Sequence, residues 1–343
     1  MTNIIRSRAP LRISFAGGGT DVEPYPTMKG GAVISTTIDR YAYVSLIITE
    51  KNQVNVRSQD YGLLETFNDI SEMSYNGKLD LVKAAIKNFN FKNASFDAVL
   101  HVDAPPGSGL GASSAVTVSL IGSLSSLTGI KLSRHEIADK AYQIERIELG
   151  IKGGKQDQYS AAFGGFNLLE FTKNGVNVTP LKIKKEILNE LLASLLVCDT
   201  RVQRLSGKII ERQAKSYAQG EKSVIENLDH IKQSTFEMKK ALTEGNMAKI
   251  CELLHDGWEH KKNLDSKISN PELDKIYDSA LKNGANGGKL LGAGGGGHFM
   301  FLCDPDKKED VARVVKKLGC KVIRVNFDTD GLQVWKNNDN QVL

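Results

Sequence analysis

The sequence predicts an α+β protein of two domains. Three observations carry this: ordinary globular composition over 343 residues, period-two strands in the first hundred, and a strand–helix–strand pattern at the end, behind long polar helices. Hydrophobic residues make up 41% and charged residues 25%, which excludes a disordered or fibrous chain. Lys and Arg number 45 against 40 Asp and Glu, a net charge of +5 with the lysines scattered, so no dedicated nucleic-acid binding is expected. No run approaches about eighteen apolar residues, and residues 1–8 lack a signal peptide's apolar stretch, so the expectation is a cytoplasmic protein with no membrane partner. Cys198, Cys251, Cys303 and Cys320 form no CxxC and have no His at metal-site spacing, and they read as isolated buried thiols.

Residues 9–15 alternate, with Leu11, Ile13 and Phe15 on one face and Arg12 and Ser14 on the other. That predicts a half-buried strand whose Arg12 points away from the core. The same period recurs from Arg40 to Ile48 and from Ser95 to Val102. Leu81, Ala85 and Phe89 follow helical spacing, and Ser113 to Leu127 is apolar almost all round, as in a buried helix. Ser133 followed by Glu136 is a capping box, which starts a helix running to about Leu149. A second half begins near Lys185, with a strand at Leu195 to Asp199 and long polar helices from Ser206 to about Asn263. His255 and His260, which flank Trp258 there, read as solvent-facing. The end predicts a strand (His298 to Cys303), a helix (Lys307 to Leu318), a strand (Lys321 to Phe327), an Asp330-Gly331 turn and a last strand through Trp335, all in the second domain.

Glycine is the skewed residue, with many of its 32 copies in four clusters. Between a strand and the buried helix lies Pro105-Pro106-Gly107-Ser108-Gly109-Leu110-Gly111-Ala112-Ser113-Ser114-Ala115. Glycines let backbone amides approach a ligand, and the helix N-terminus behind them offers unpaired N–H groups, so this is a place for phosphate. A strand-to-helix turn packed with small residues is the alternative. Gly107-x-Gly109-x-x-Ala112 and Gly292-x-Gly294-x-x-Gly297 fit a dinucleotide fingerprint in part, but the first lacks the later acidic residue and the second leads into a strand. No Walker A loop is present, since Gln156 follows Gly154-Lys155 and Leu290 follows Gly288-Lys289.

In the helix after Ser133, Ile137, Ala138, Ala141, Ile144 and Leu149 share a face, and Glu145 and Glu148 fall on it. A buried carboxylate without a partner costs roughly several kcal/mol, so each needs a cation, a metal ion or donors, in a salt bridge or a functional site. Past that helix, Asp157 lies in a stretch of glycines and small residues from Gly153 to Gly165. It could accept a proton from a substrate hydroxyl, with Lys155 and Gln158 to orient it, or serve as a turn or cap residue.

At these residues the sequence resembles the GHMP kinases, the superfamily of galactokinase, homoserine kinase, mevalonate kinase and phosphomevalonate kinase. Three motifs appear in order over nearly the whole chain. Arg8 to Asp21 looks like the N-terminal substrate motif, Pro105 to Ala115 like the phosphate loop, and Lys289 to His298 like the C-terminal glycine-rich motif. The resemblance implies an N-terminal ATP-binding domain, 1–184, of the ribosomal-protein-S5-domain-2-like type. It also implies a ferredoxin-like C-terminal domain, 185–343, with the site in the cleft between them. ATP would lie over Pro106, Gly107, Ser108, Gly109, Leu110, Gly111, Ala112, Ser113 and Ser114. Mg²⁺ would sit on Ser113 and Glu145, with Ser114 as the fallback because Ala112 replaces the family's first serine and Ser114 an alanine, and with Glu148 second to Glu145, which stands twelve residues before Asp157 as in the galactokinase-like branch. Asp157 would face the hydroxyl being phosphorylated, and Arg12 would offset developing charge.

Within the superfamily, Gly17 to Asp21, Gly154 to Tyr159 and Phe163 to Asn167 look most similar to the D-glycero-D-manno-heptose 7-phosphate kinases. That resemblance implies a sugar phosphate and ATP as partners, phosphorylation of the anomeric hydroxyl, and a step toward GDP-heptose for capsule or lipopolysaccharide. Gly18, Gly19, Thr20, Asp21, Lys155, Gln156, Gly294, Gly295 and Arg201 would bind the sugar. Arg201, Arg204 and Lys208, at helical spacing, are candidates for its distal phosphate, against a solvated basic helix end. Fucokinase-like domains share Gly-Gly-x-Thr-Asp, so an L-fucose or galactose kinase is an alternative. A catalytically silent sugar-binding regulator of the same fold is another, opposed by the intact Asp157, Glu145 and Ser113, and a dehydrogenase is a third.

Overall fold

The computed structural model describes residues 3–91, 94–202 and 206–338. It opens with β1 (Asn3–Ala16), a short helix α1 (Tyr25–Lys29) and β2 (Gly31–Ile48), followed by β3 (Val54–Ser58), β4 (Leu63–Phe67), α2 (Asp80–Lys87) and β5 (Phe96–Val102). Helices α3 (Ala112–Thr128), α4 (Arg134–Tyr142) and α5 (Gln156–Phe163) lead to the hairpin β6 (Asn167–Thr172) and β7 (Gly175–Pro180). The second half begins with α6 (Lys185–Ser194) and β8 (Leu195–Asp199). Four helices follow, α7 (Ser206–Ala218), α8 (Lys222–Glu244), α9 (Met247–Lys262) and α10 (Pro271–Lys282). The chain ends with β9 (Ala285–Leu290), β10 (His298–Cys303), α11 (Lys308–Lys317), β11 (Lys321–Ile323), β12 (Phe327–Asp328) and β13 (Gln333–Asn338).

The first sheet runs β13-β1-β2-β5-β3-β4, with β6 and β12 also on β2 and β7 on β6; the second is antiparallel, β11-β8-β10-β9. Leu11, Ile13 and Phe15 alternate into the first core, where the apolar α3 packs on β1 and β2. Arg12 and Ser14 occupy the other face, as their spacing predicts, but that face is covered too, because it closes the cleft. A second core gathers Trp258, Tyr277, Phe299 and Phe301 between α9, α10 and the second sheet.

Two expectations are corrected here. The helix from Ser133 keeps its capping box but does not run on as α-helix to Leu149: from Gln143 to Glu148 it widens into a π turn. There Leu149 N donates to Ile144 O, five residues back. The wider turn shifts the register, burying Glu145 completely and leaving Glu148 exposed. The end of the chain also does not stay in the second domain. β11 pairs with β8, but β12 joins β2 and β13 joins β1, from Asn3 opposite Asn338 to Arg8 opposite Gln333.

All four cysteines are free and buried, though Cys198 and Cys320 touch each other. His255 is exposed, while His260 is half-buried, stacks on His230 and meets Asn227 Oδ1 at 2.7 Å. Among the described residues, no helix is long and apolar enough to cross a membrane.

Candidate active site

The segment 105–111 leaves β5 and delivers the chain to the N-terminus of α3. Gly111 caps that helix at φ 77° without any side-chain cap, so the first-turn N–H groups face outward. A Cβ on Gly111 would lie 3.3 Å from Arg12 Cγ and 3.4 Å from Asp157 Cγ. Glycine thus answers both the backbone and the crowding.

Arg12 holds three parts together. Its backbone N–H donates to Leu110 O at 2.9 Å, Nη1 donates to Gly109 O, and Nε donates to Asp157 Oδ1 at 2.7 Å. Nη2 reaches the same carboxylate oxygen at 2.7 Å. Asp157 stands in the first turn of α5, where the helix dipole favours a carboxylate.

Glu145 is fully buried. Its Oε2 accepts from Ser114 Oγ at 2.8 Å and Gln158 Nε2 at 2.9 Å, and Arg146 Nη2 stands 3.2 Å away. Its Oε1 has no hydrogen-bond partner among the described residues. Burial pushes this carboxyl up from its ordinary value, against the pull of Arg146. A buried carboxylate with one unengaged oxygen, two hydroxyls in the adjoining helix turn and a raised proton affinity is a donor set that suits a hard divalent cation. Ser114, the second choice, makes the contact with Glu145, while Ser113 lies exposed on the cleft wall.

Across the cleft, buried Asp21 accepts from Gly19 N at 3.2 Å, Gln156 N at 3.1 Å and Gln156 Nε2 at 3.4 Å. Burial raises its proton affinity, the bond from Gln156 N lowers it, and nearby Asp157 raises it again. The cleft is a cavity of about 210 Å³ that takes in Arg12, Gly19, Asp21, Gly107, Ser108, Gly109, Gly111, Ala112, Ser113, Ser114, Gln156 and Asp157. A larger, mainly apolar cavity of about 580 Å³ adjoins it, sharing Gly107, Ala112, Ser113 and Ile151 and walled by Pro106, Leu79, Leu81, Val102, Val116 and Leu149.

Other expected residues sit elsewhere. Leu110 is buried, its carbonyl accepting from Arg12 N and its own N–H donating to Ser108 Oγ at 3.4 Å. Thr20 uses its hydroxyl on the backbone of Gly17 and Ala32 and does not reach the cleft. Lys155 turns to Glu23 at 3.4 Å, over the ring of Tyr142. Gly294 and Gly295 fold against Ile268, with Gly295 N donating to Ile268 O at 2.8 Å, and it is Gly292 and Ala293 that line the cleft. Gly18 lies beneath Lys261, whose Nζ would be 3.4 Å from a Cβ there. Glu148 bonds Tyr75 and Asn88 in the larger cavity, away from Glu145. Arg201 is exposed and outside the cleft, because its N–H caps Asp199 Oδ1 at 2.9 Å and a φ of 57° turns the chain outward. Lys208 is also exposed, and Arg204 lies outside the described residues.

Sequence reasoning missed Arg146, Lys152, Gln213 and Lys261 in the cleft wall. Lys261 was legible: it continues the buried stripe Ile250, Leu254, Trp258 of α9, the same signal that singled out Glu145.

Residues 80–165 match the GHMP kinases N terminal domain and residues 238–320 the GHMP kinases C terminal domain. The chain is 38% identical to a D-glycero-alpha-D-manno-heptose 7-phosphate kinase of Campylobacter jejuni, over 97% of this chain and 99% of that protein. The chain belongs to the GHMP kinases. This GHMP kinase is an enzyme, a phosphotransferase with an alcohol group as acceptor. The GHMP kinase is also similar to a crystal structure described as a D-glycero-D-manno-heptose 1-phosphate kinase from Bacteroides thetaiotaomicron. The TM-score is 0.83 and the identity 34%, over 98% of this chain and all of that one. An L-fucokinase/L-fucose-1-P guanylyltransferase of Bacteroides fragilis is 27% identical over 97% of this chain and 39% of that protein.

Proposed function

We propose that this GHMP kinase moves the terminal phosphoryl group of ATP to the anomeric (C1) hydroxyl of D-glycero-D-manno-heptose 7-phosphate. The product is the 1,7-bisphosphate, made in the cytoplasm on the way to GDP-heptose for surface polysaccharide. The observation that carries this reading is the Arg12–Asp157 pair, set against the glycine-rich loop at the N-terminus of α3 and facing Asp21.

The larger cavity suits the adenosine, since it is apolar and opens onto the loop. The phosphates then run along 107–113 toward the first-turn N–H groups of α3. Ser113, Ser114 and Glu145 would hold Mg²⁺, which supplies charge neutralisation on the phosphates. Asp157 takes the proton of the acceptor hydroxyl. Arg12 fixes Asp157 with two nitrogens and ties it to the loop through Gly109 O, so donor and acceptor sides are held in one register. Asp21 and Gln156 take sugar hydroxyls, with Thr20 bracing the Gly17–Asp21 turn from behind.

The names of the two heptose-kinase relatives put the acceptor's existing phosphate on different carbons, and the third relative acts on L-fucose. The test is ATP consumption with heptose 7-phosphate, unphosphorylated heptose, L-fucose and galactose, with the new phosphate located by phosphorus NMR. Preference for heptose 7-phosphate with phosphorylation at C1 is the expected result; preference for L-fucose or galactose overturns the heptose assignment.

A further inference from the structure

Lys289, on β9, is 4% exposed, and among the described residues neither a hydrogen bond nor an ion pair engages its side chain. The charges closest in effect are themselves cations, Lys261 and Arg12. Burial and these two neighbours hold its ammonium well below the usual lysine range. A fold gains nothing by burying a lysine beside two other cations, so the arrangement calls for an anion brought by a ligand.

The place of Lys261 says which ligand. It lines the cleft, donates to Gly292 O at 2.6 Å and reaches toward Gly18. Gly18 and Gly19 precede Asp21 in one turn, and the neighbouring carbonyl of Gly19 is held by Gln213 Nε2 at 3.1 Å. With no side chains at 18 and 19, the wall beyond Asp21 is left to Lys261 and Gln213. Lys261 thus shares one cleft with Asp157 and Asp21, while Lys289 is buried outside its lining, where Lys261 and Arg12 act on it. Donor phosphates have their own amide cradle in the loop at 107–113.

We propose that Lys261, reinforced by the buried charge of Lys289, forms a subsite for a phosphate group carried by the acceptor. This rests on the sugar-phosphate reading above and gives the distal phosphate the partners that exposed Arg201 does not supply.

Full-length enzyme is assayed at saturating ATP and Mg²⁺ with heptose 7-phosphate and with the unphosphorylated heptose, as wild type and as Lys261→Met, Lys289→Met and Lys261→Arg. The wild type should prefer the phosphorylated acceptor by about tenfold to a few hundredfold in kcat/KM, the range for charge-assisted phosphate contacts. Each Met variant should cut that preference about tenfold through KM for the sugar phosphate, with KM for ATP within about twofold of wild type. Lys261→Arg should restore most of it. Thermal melts accompany the kinetics, and Lys289→Met, which removes a buried charge, should melt no lower than wild type. A wild-type preference that survives both Met substitutions overturns the subsite and leaves the substrate reading standing. A rise in KM for ATP with the preference intact assigns the lysines to the donor and overturns it as well. A wild type indifferent to the acceptor's phosphate sinks both readings together.

Discussion

A carboxylate that is to receive a proton must be held in place yet remain open to its substrate. Asp157 is 22% exposed, with two Arg12 nitrogens on Oδ1 and no hydrogen bond to Oδ2 among the described residues. Asp157→Asn should lower kcat by about a hundredfold or more, with ATP affinity from a direct binding titration unchanged. Glu145 answers a different need, a buried oxygen kept unengaged. Glu145→Gln and Ser113→Ala should raise the Mg²⁺ concentration for half-maximal rate several-fold, and Glu148→Gln should leave it unchanged. Lys289 gives a pH signature. Its folded value is depressed, so the folding cost is full below that value and disappears as pH rises toward the free-lysine value of about 10.4. The unfolded chain holds the extra proton throughout that window, so stability rises with pH across it. Lys289→Met should therefore exceed wild type in melting temperature most clearly near neutral pH, with the gap narrowing toward about pH 10.

At the scale of elements, local chemistry decided what was legible. The alternation in β1, the capping box of α4 and the apolar length of α3 are properties of neighbouring residues, and each appears where the sequence puts it. The π turn at Gln143–Glu148 was not legible, because a shift from four- to five-residue hydrogen bonding leaves no pattern of its own. It decides which of two acids on one predicted face turns inward. The glycines of the phosphate loop were legible as a class, but not what each one faces. Gly111→Ala tests that geometry: the methyl would press on Arg12 and Asp157 at a φ of 77°, where a side chain costs about 1 to 2 kcal/mol. It should lower kcat between about tenfold and a hundredfold, since displacement by about an ångström is enough to do so. A crystal structure of the variant should show the Arg12–Asp157 pair shifted.

Over the whole molecule, what the sequence hides is partnership. The alternating residues near Trp335 announce a strand, but nothing local says that β13 pairs with β1 more than three hundred residues earlier. That return stitches the C-terminal segment to the sheet that carries Arg12, and it passes over the end of α5, which begins beside Asp157. Arg134 clamps the crossing, with Nη1 donating to Phe163 O and Nη2 to Asp330 O, each at 2.9 Å. The contact is backbone on backbone: a Cβ on Gly331 would lie 2.5 Å from Phe163 C and 2.7 Å from Ala162 O, at a φ of 69°. Gly122 on α3 differs, since the nearest atoms to a Cβ there are the side-chain ends of Leu332 and Val334 at 2.9 to 3.1 Å, which can move. Gly331→Ala must therefore push the returning segment off α5, a strain of about 1 to 3 kcal/mol, or several degrees of melting temperature in a chain of this size. Gly122→Ala should lose much less. Because α5 positions Asp157, Gly331→Ala should also lower kcat at temperatures where the protein is still folded, and Gly122→Ala should not. Equal melting temperatures and equal turnover for the two variants would mean that the C-terminal strand only covers the sheet edge and does not brace the site.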